Sequence, residues 1–477
     1  MITLAPPPPE RRLASRSADH MSDRMTSGNT EADYILNGGF PLNSINIIMG
    51  HPGSGKTIFA EQLMFHNASD DRPILYLTTL SEPLAKVIRY LQGFEFFDEN
   101  KFGSQVIYED VGEQLAMDGP SALLPLLREA IRSRAPKIIV IDSFKAVHDL
   151  EPDSGNRRRM VYELTSLLTA YGTTAFFLGE YTEDDILRYP EFAVADGIVE
   201  MSRRRLGNRD ERYFRVYKLR GSRYLEGAHA FSITSSGLDI YPRLVSPALP
   251  EGYEPATERV SIGVPDLDKM LDGGLWKGTT TLLAGPSGAG KTTIGLQFAL
   301  DGARRGDPSL YMNFQENPSQ LTRTIRNLGV DLDAEAQARL DLVYASPVEL
   351  QIDSIIVDMF RRIEENGVRR LVIDALGDLA SAATDPQRLH DYLYALVQHF
   401  AARGITSILN VETTGNTIAG QTMQNAMSYL SDNVLLLTVD GEERTRRAVR
   451  VLKTRGSAHD LRVREVEIRP TGLVVLE

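Results

Sequence analysis

A chain of 477 residues is too long for one ordinary core, so two or more domains are expected. Its 42% hydrophobic and 24% charged residues are the balance of a globular protein, and 64 acidic against 52 basic residues leave a net charge of −12, which weighs against DNA or an acidic membrane surface as the main partner while leaving room for a local basic channel. The lack of cysteine excludes disulfides, thiolate metal sites and cysteine nucleophiles, and no apolar run reaches the roughly 18 residues of a membrane-spanning helix.

Residues 1–25 carry Pro6 to Pro9 and Arg11–Arg12 but no apolar secretory core. They read as a disordered leader, with a peptide-docking segment as the alternative. Together with the missing cysteines, this fits a cytoplasmic protein.

The first folded domain is placed at 26–246. Apolar Ile45–Met49 runs into Gly50–His51–Pro52–Gly53–Ser54–Gly55–Lys56–Thr57 and then a helical pattern. Strand, glycine-rich turn and helix start are the context a phosphate-binding loop requires. Glycines let several backbone N–H groups converge, and the helix N-terminus adds partial positive charge. Further on come a strand at Ile74–Leu77 and a buried strand Lys137–Asp142, whose closing carboxylate would stand beside Mg²⁺. Lys218–Leu219–Arg220–Gly221–Ser222 and the strand-like Ala230–Ile233 close this half. Residues 247–256, with Pro247, Pro250, Gly252 and Pro255, read as a linker.

The second domain, placed at 257–477, repeats that order. Gly285–Pro286–Ser287–Gly288–Ala289–Gly290–Lys291–Thr292, followed by Thr293, is a second phosphate-binding loop, and Lys291 lies 235 residues after Lys56 (291 minus 56). The same offset relates Asn37–Gly38–Gly39 to Asp272–Gly273–Gly274, and Lys218 to Lys453. Ser309–Met312 and Arg370–Asp374 mirror the two strands of the first half. Chance does not produce such a period, so the chain is a duplication. Strands alternating with helical segments give an α/β fold, each half with a mainly parallel central sheet, flanking helices, and its loop at the carboxyl ends of the strands. Lys56 and Lys291 would reach the phosphates of ATP, and Thr57 and Thr292 would offer hydroxyls to Mg²⁺.

Arg259–Val260–Ser261–Ile262–Gly263–Val264–Pro265–Asp266–Leu267–Asp268–Lys269–Met270–Leu271, the loop after it, and Lys453–Thr454–Arg455–Gly456–Ser457–Ala458–His459–Asp460 together resemble the KaiC family, the two-domain RecA-like ATPases of bacterial circadian clocks and their relatives. The resemblance runs from about residue 26 to the end. It implies tandem RecA-like P-loop domains assembled as hexamers, with ATP and Mg²⁺ at each subunit interface and a KaiB-like or signalling protein as partner. By that resemblance Lys218, Arg220 and Ser222, and Lys453, Arg455, Ser457 and His459, would serve the neighbouring subunit's nucleotide. Such trans cations suit the charge that builds on the γ-phosphoryl oxygens.

Three departures from the family pattern shape the expectations. Where the family has two adjacent glutamates after the second strand, the C-terminal half has Gln315–Glu316, so Glu316 would activate water and Gln315 orient it. The N-terminal half has Leu80–Ser81 with Glu82 displaced by one residue, which turns it the wrong way at a strand end. Hydrolysis is therefore expected mainly in the C-terminal half. At the family's autophosphorylated pair stand Ser428 and Tyr429, with Ser431 as a further hydroxyl, so serine autokinase activity is an expectation and a serine–threonine cycle is not. The sequence stops at Val474–Val475–Leu476–Glu477, where clock members carry a tail, so a KaiA-type input is not expected. Arg223 and Tyr224 also replace the family's serine and histidine.

Two other readings stay open from sequence. One is a RecA-like single-strand nucleic-acid motor with Arg203–Arg204–Arg205 and Arg444–Thr445–Arg446–Arg447 lining a pore, against which these runs read as charged hairpins. The other is a nucleotide-gated platform with little catalysis.

Overall fold

The computed structural model describes residues 23–79, 84–206, 209–248, 254, 256–328, 333–346, 351–381, 386–413, 430–440 and 446–476. The chain forms two compact units that meet in sequence between Arg243 and Leu244.

In the first unit a nine-stranded sheet is built from β1 (Ile45–Met49), β2 (Ile74–Thr78), β3 (Val106–Asp110), β4 (Ile138–Asp142), β5 (Thr174–Gly179), β6 (Gly197–Leu206), β7 (Arg209–Leu219), β8 (Ala228–Thr234) and β9 (Gly237–Tyr241). Their spatial order is β3-β2-β4-β5-β1-β6-β7-β8-β9. Pairing is parallel from β3 through β6 and antiparallel from β6 through β9.

The second unit has β10 (Thr280–Gly285), β11 (Ser309–Asn313), β12 (Leu340–Tyr344), β13 (Arg370–Asp374), β14 (Thr406–Glu412), β15 (Asn433–Asp440), β16 (Arg446–Thr454), β17 (Arg464–Arg469) and β18 (Gly472–Val475). The order β12-β11-β13-β14-β10-β15-β16-β17-β18 is the same topology. Each unit is a mainly parallel α/β sheet with flanking helices, as the sequence implies.

Strands covered on both faces need apolar residues at every position, and Ile45–Met49, Ile138–Ile141 and Leu371–Ile373 are buried throughout. Successive side chains point to opposite faces. Phe176 of β5 meets Phe40 edge-on at 5.1 Å on one side, and Phe177 stacks on Phe144 at 4.2 Å on the other. Each sheet therefore carries one apolar core per face.

A short antiparallel ribbon precedes each sheet, Arg24–Met25 with Phe40–Pro41 and Arg259–Val260 with Leu275–Trp276. Helix α1 (Lys56–Asn67) follows β1, and α2 (Lys291–Arg305) follows β10. The second unit also has α3 (Ile352–Asn366) and α4 (Pro386–Ala402). Among the described residues no helix is long and apolar enough to cross a membrane.

The arginine runs are strand residues. Arg203, Arg204 and Arg205 lie in β6 opposite Arg212, Glu211 and Asp210, and Arg203 bonds Asp210. Arg446 and Arg447 open β16, while Arg444 lies outside the described residues.

Candidate active site

Both phosphate loops stand at the carboxyl end of a central strand and run straight into a helix. The glycines are where the backbone needs them. Gly50, Gly53 and Gly55 have φ of 149°, 71° and 101°, and Gly288 and Gly290 have 75° and 105°. A side chain at Gly50 would strike the Met201 carbonyl at 1.9 Å, and one at Gly285 the Leu437 carbonyl at 2.8 Å. Gly55 and Gly290 are the N-caps of α1 and α2, so the first N–H groups of each helix face the loop. Ser287 at the loop's crest is exposed, Ala289 is buried beneath it, and Ser54, which replaces Ala289 in the first loop, is buried with an unbonded hydroxyl.

The two lysines have equivalent settings. Lys291 Nζ donates to the carbonyls of Gly285 (2.8 Å) and Pro286 (2.9 Å), and Lys56 Nζ to those of Gly50 (2.9 Å) and His51 (3.0 Å). Burial lowers the pKa of both amines, against the pull of nearby carboxylates. One helical residue on, Thr292 Oγ1 donates to Asp374 Oδ2 at 2.8 Å, and Thr57 Oγ1 to Asp142 Oδ2 at 2.8 Å. Thr293 is half-buried on the same turn.

A tyrosine on the second strand completes each group. Tyr311 Oη donates to Asp374 Oδ2 at 2.6 Å, and Tyr76 Oη to Asp142 Oδ2 at 2.7 Å. Burial, then the aspartate charge, push both phenols well above their ordinary range, so they remain donors. Sequence reasoning passed these tyrosines over. The signal was present, because the same residue type recurs at the 235-residue offset.

Each half thus gathers an aspartate, a threonine hydroxyl and a tyrosine phenol beside its lysine. Among the described residues no cluster of three or more His, Asp or Glu could hold a metal. That donor set fits Mg²⁺, which keeps several waters and takes its other ligands from phosphates. Thr57 with Asp142, and Thr292 with Asp374, would hold it, and the ion would supply charge neutralisation across the β- and γ-phosphates.

Gln315 and Glu316 diverge from a shared anchor, since both backbone N–H groups donate to Asn313 Oδ1, at 2.7 and 2.6 Å. The Gln315 amide donates to Asp378 Oδ2 at 2.8 Å. Glu316 Oε2 is out of solvent without a hydrogen-bond partner, and the Glu316 charge reaches Tyr311. Glu82 and its neighbours Leu80 and Ser81 lie outside the described residues.

The closing cations are at the other end of the sheet. Lys453 Nζ donates to the Ser431 carbonyl at 2.7 Å, and Arg455 lies 3.7 Å from Asp432, whose other oxygen accepts from the N–H of Thr280, the first residue of β10. Arg220 likewise pairs with Asp196 at 3.3 Å, and Asp196 accepts from the N–H of Ile45, the first residue of β1. Lys218 in β7, two residues before Arg220, has its pKa lowered by burial and then by that arginine, as Lys453 does by burial and Arg455. About 17 Å of extended strand separates these cations from their own loop. Ser457 accepts from Arg259 at 2.6 Å, Ser222 turns back to the Arg223 carbonyl at 2.7 Å, and His459 has a buried ring nitrogen without a partner. Ser431 is fully buried with an unbonded hydroxyl, and Ser428 lies outside the described residues.

Comparison with known proteins bears on this architecture. The family model described as the KaiC ATPase matches residues 25–245 and again 260–477. The chain is 28% identical over 453 residues to the circadian clock oscillator protein KaiC of Rippkaea orientalis, covering 92% of this chain and 86% of that one. It is 27% identical to the circadian clock protein KaiC3 of Synechocystis, with 94% and 91% covered, and 27% identical to the KaiC of Synechococcus elongatus, with 92% and 86% covered. Two matched segments, two phosphate loops and two sheets of one topology lead to one assignment: the chain belongs to the KaiC family of ATPases.

Proposed function

We propose that this protein is an oligomeric ATPase that binds ATP and Mg²⁺ at both loops and acts as a timer or signalling scaffold. Each nucleotide site is completed by the neighbouring subunit, and the assembly is a hexamer. The observation that carries this is the separation of each loop from its own Lys–Arg pair by the length of a strand. Lys453 and Arg455, and Lys218 and Arg220, cannot reach the phosphates of their own half. Head-to-tail packing, in which the amino end of one sheet faces the carboxyl end of the next, brings them to a γ-phosphate, where developing charge needs cations.

Hydrolysis runs mainly in the C-terminal half. Glu316 is the base and Gln315 orients water there, with Lys291, Asp374, Lys453 and Arg455 around the phosphates. The N-terminal half binds ATP chiefly for assembly. Serine autokinase activity falls on Ser428. A KaiB-like or signalling protein is the expected partner, in keeping with relatives whose names place them in circadian clocks.

Native mass spectrometry without nucleotide, with ADP and with ATP tests the assembly. Six-subunit species that require nucleotide are expected, and weaken in Lys453→Ala/Arg455→Ala. A monomer under all three conditions would overturn the reading.

A further inference from the structure

Strand β5 lies between β1, which carries the first phosphate loop, and β4, which carries Asp142. Its last residue, Gly179, pairs with Met49, and Leu178 pairs with Asp142. The next residue is Glu180, so a carboxylate leaves the sheet between the loop and the metal-side aspartate. It lines a cavity of about 660 Å³ together with Lys56, Thr57 and Asp142, and its charge acts on the Lys56 amine.

The strand end is held in place. Lys145 Nζ donates to the Glu180 carbonyl at 2.7 Å and pairs with Asp185 at 3.6 Å. Gly179 is required there, because a Cβ would sit 2.2 Å from the Tyr181 ring. The second half repeats the arrangement: β14 lies between β10 and β13, and Glu412 at its end pairs with Gly285. The charge of Glu412 acts on the Lys291 amine, as does that of Asp374.

We infer that Glu180 is the water-orienting carboxylate of the N-terminal site and carries the turnover that this half retains. This rests on the reading of the loop as an ATP site. Glu180 accepts a hydrogen bond from a water placed in line with the γ-phosphate. As the new P–O bond forms, the bond from phosphorus to the departing ADP oxygen breaks and its electron pair leaves with ADP. Both protons of the water end on the inorganic phosphate, which leaves as H2PO4⁻. An N-terminal site without the family's glutamate pair thus keeps a carboxylate, drawn from a different strand end.

The experiment uses the full chain with the C-terminal site silenced by Lys291→Ala. Steady-state ATP turnover and affinity for a fluorescent ATP analogue are measured before and after adding Glu180→Gln or Glu180→Asp. Turnover above that of the Lys56→Ala/Lys291→Ala double variant is expected. Glu180→Gln should lower it about tenfold or more, with affinity within about twofold, and Glu180→Asp should keep an intermediate rate. No residual turnover in Lys291→Ala, an unchanged rate in Glu180→Gln, or a parallel loss of affinity and rate would overturn the inference. The reading of the C-terminal half as the main hydrolase fails on a different result: Lys291→Ala keeping most of the turnover, which leaves the Glu180 comparison readable.

Discussion

The phenol of Tyr311 and the hydroxyl of Thr292 bind the same oxygen of Asp374, at 2.6 and 2.8 Å. The carboxylate is 6% exposed, so these two donors fix its rotamer and hold its charge. Tyr311→Phe removes one donor and no bulk. We expect the Mg²⁺ concentration for half-maximal turnover to rise about tenfold or more while the fold persists, since a hydrogen bond to a charged group is worth about 1.5–3 kcal/mol and each 1.4 kcal/mol is about tenfold. A Mg²⁺ titration of ATPase activity checks this, with Tyr76→Phe as the N-terminal counterpart.

Domain-wise inactivation should be asymmetric. Lys291→Ala is expected to remove most ATPase activity, about tenfold or more, because the remaining site lacks the Glu316 arrangement. Lys56→Ala is expected to weaken assembly and leave the larger part of the turnover. Steady-state rates with size-exclusion profiles of the two variants check the ranking, and the opposite order would overturn it.

The duplication, both loops, the strand-ending aspartates and the α/β class were all legible in sequence, because each is a local pattern or a recurrence of one. What local patterns could not supply was which groups meet across strands. The bond from Tyr311 to Asp374 needs β11 and β13 paired in register, and the anchoring of Arg455 by Asp432 needs the start of β15 beside both the start of β10 and the end of β16. Glu180 was passed over because a glutamate after a glycine at a strand end has no motif; only its place between β1 and β4 marks it. Ser431 was legible as a hydroxyl but not as a buried one.

That burial makes a prediction about modification. With its hydroxyl fully enclosed, Ser431 is no substrate for phosphoryl transfer unless the start of β15 opens. After incubation with Mg-ATP, phosphopeptide mass spectrometry should find any phosphate at Ser428 and none at Ser431. Phosphate at Ser431 would show that this strand end unfolds locally.

His399 on α4 sets a pH limit on the second unit. Nε2 lies 2.8 Å from the Val245 carbonyl, and Nδ1 is 2.6 Å from Arg403, itself 3.6 Å from Glu364. The imidazole is therefore neutral, with Nε2–H donating to Val245 and Nδ1 accepting from Arg403. Burial first, then the Arg403 charge, hold its pKa down at about 4, against the Val245 bond. The unfolded chain takes up this proton near pH 6.5 and the folded chain does not, so the stabilisation is present above pH 6.5 and is lost as pH falls toward 4. The loss should be on the order of 2 kcal/mol, and His399→Gln should flatten it. Urea denaturation at pH 7.5, 5.5 and 4.5 checks the slope.

The two glycines that cap α2 separate strain from crowding. Gly290 has φ of 105° and a Cβ there would lie 2.9 Å from Leu473, whereas Gly306 at φ 91° has open space around it. Gly290→Ala should cost about 2–3 kcal/mol and abolish nucleotide binding in that half, and Gly306→Ala about 1 kcal/mol with binding intact. Thermal denaturation with and without ATP distinguishes them.

Placing the loop and the cation pair at opposite ends of one sheet has a genetic consequence. With sites completed in trans as proposed, a Lys291→Ala subunit should lose its own site and still lend Lys453 and Arg455 to a neighbour, and a Lys453→Ala/Arg455→Ala subunit should fail its neighbour and keep a sound loop. Two alleles, each lacking C-terminal turnover alone, should therefore complement when co-expressed, because each mixed junction of the right polarity restores one working C-terminal site. Both lesions on one allele should give no such rescue.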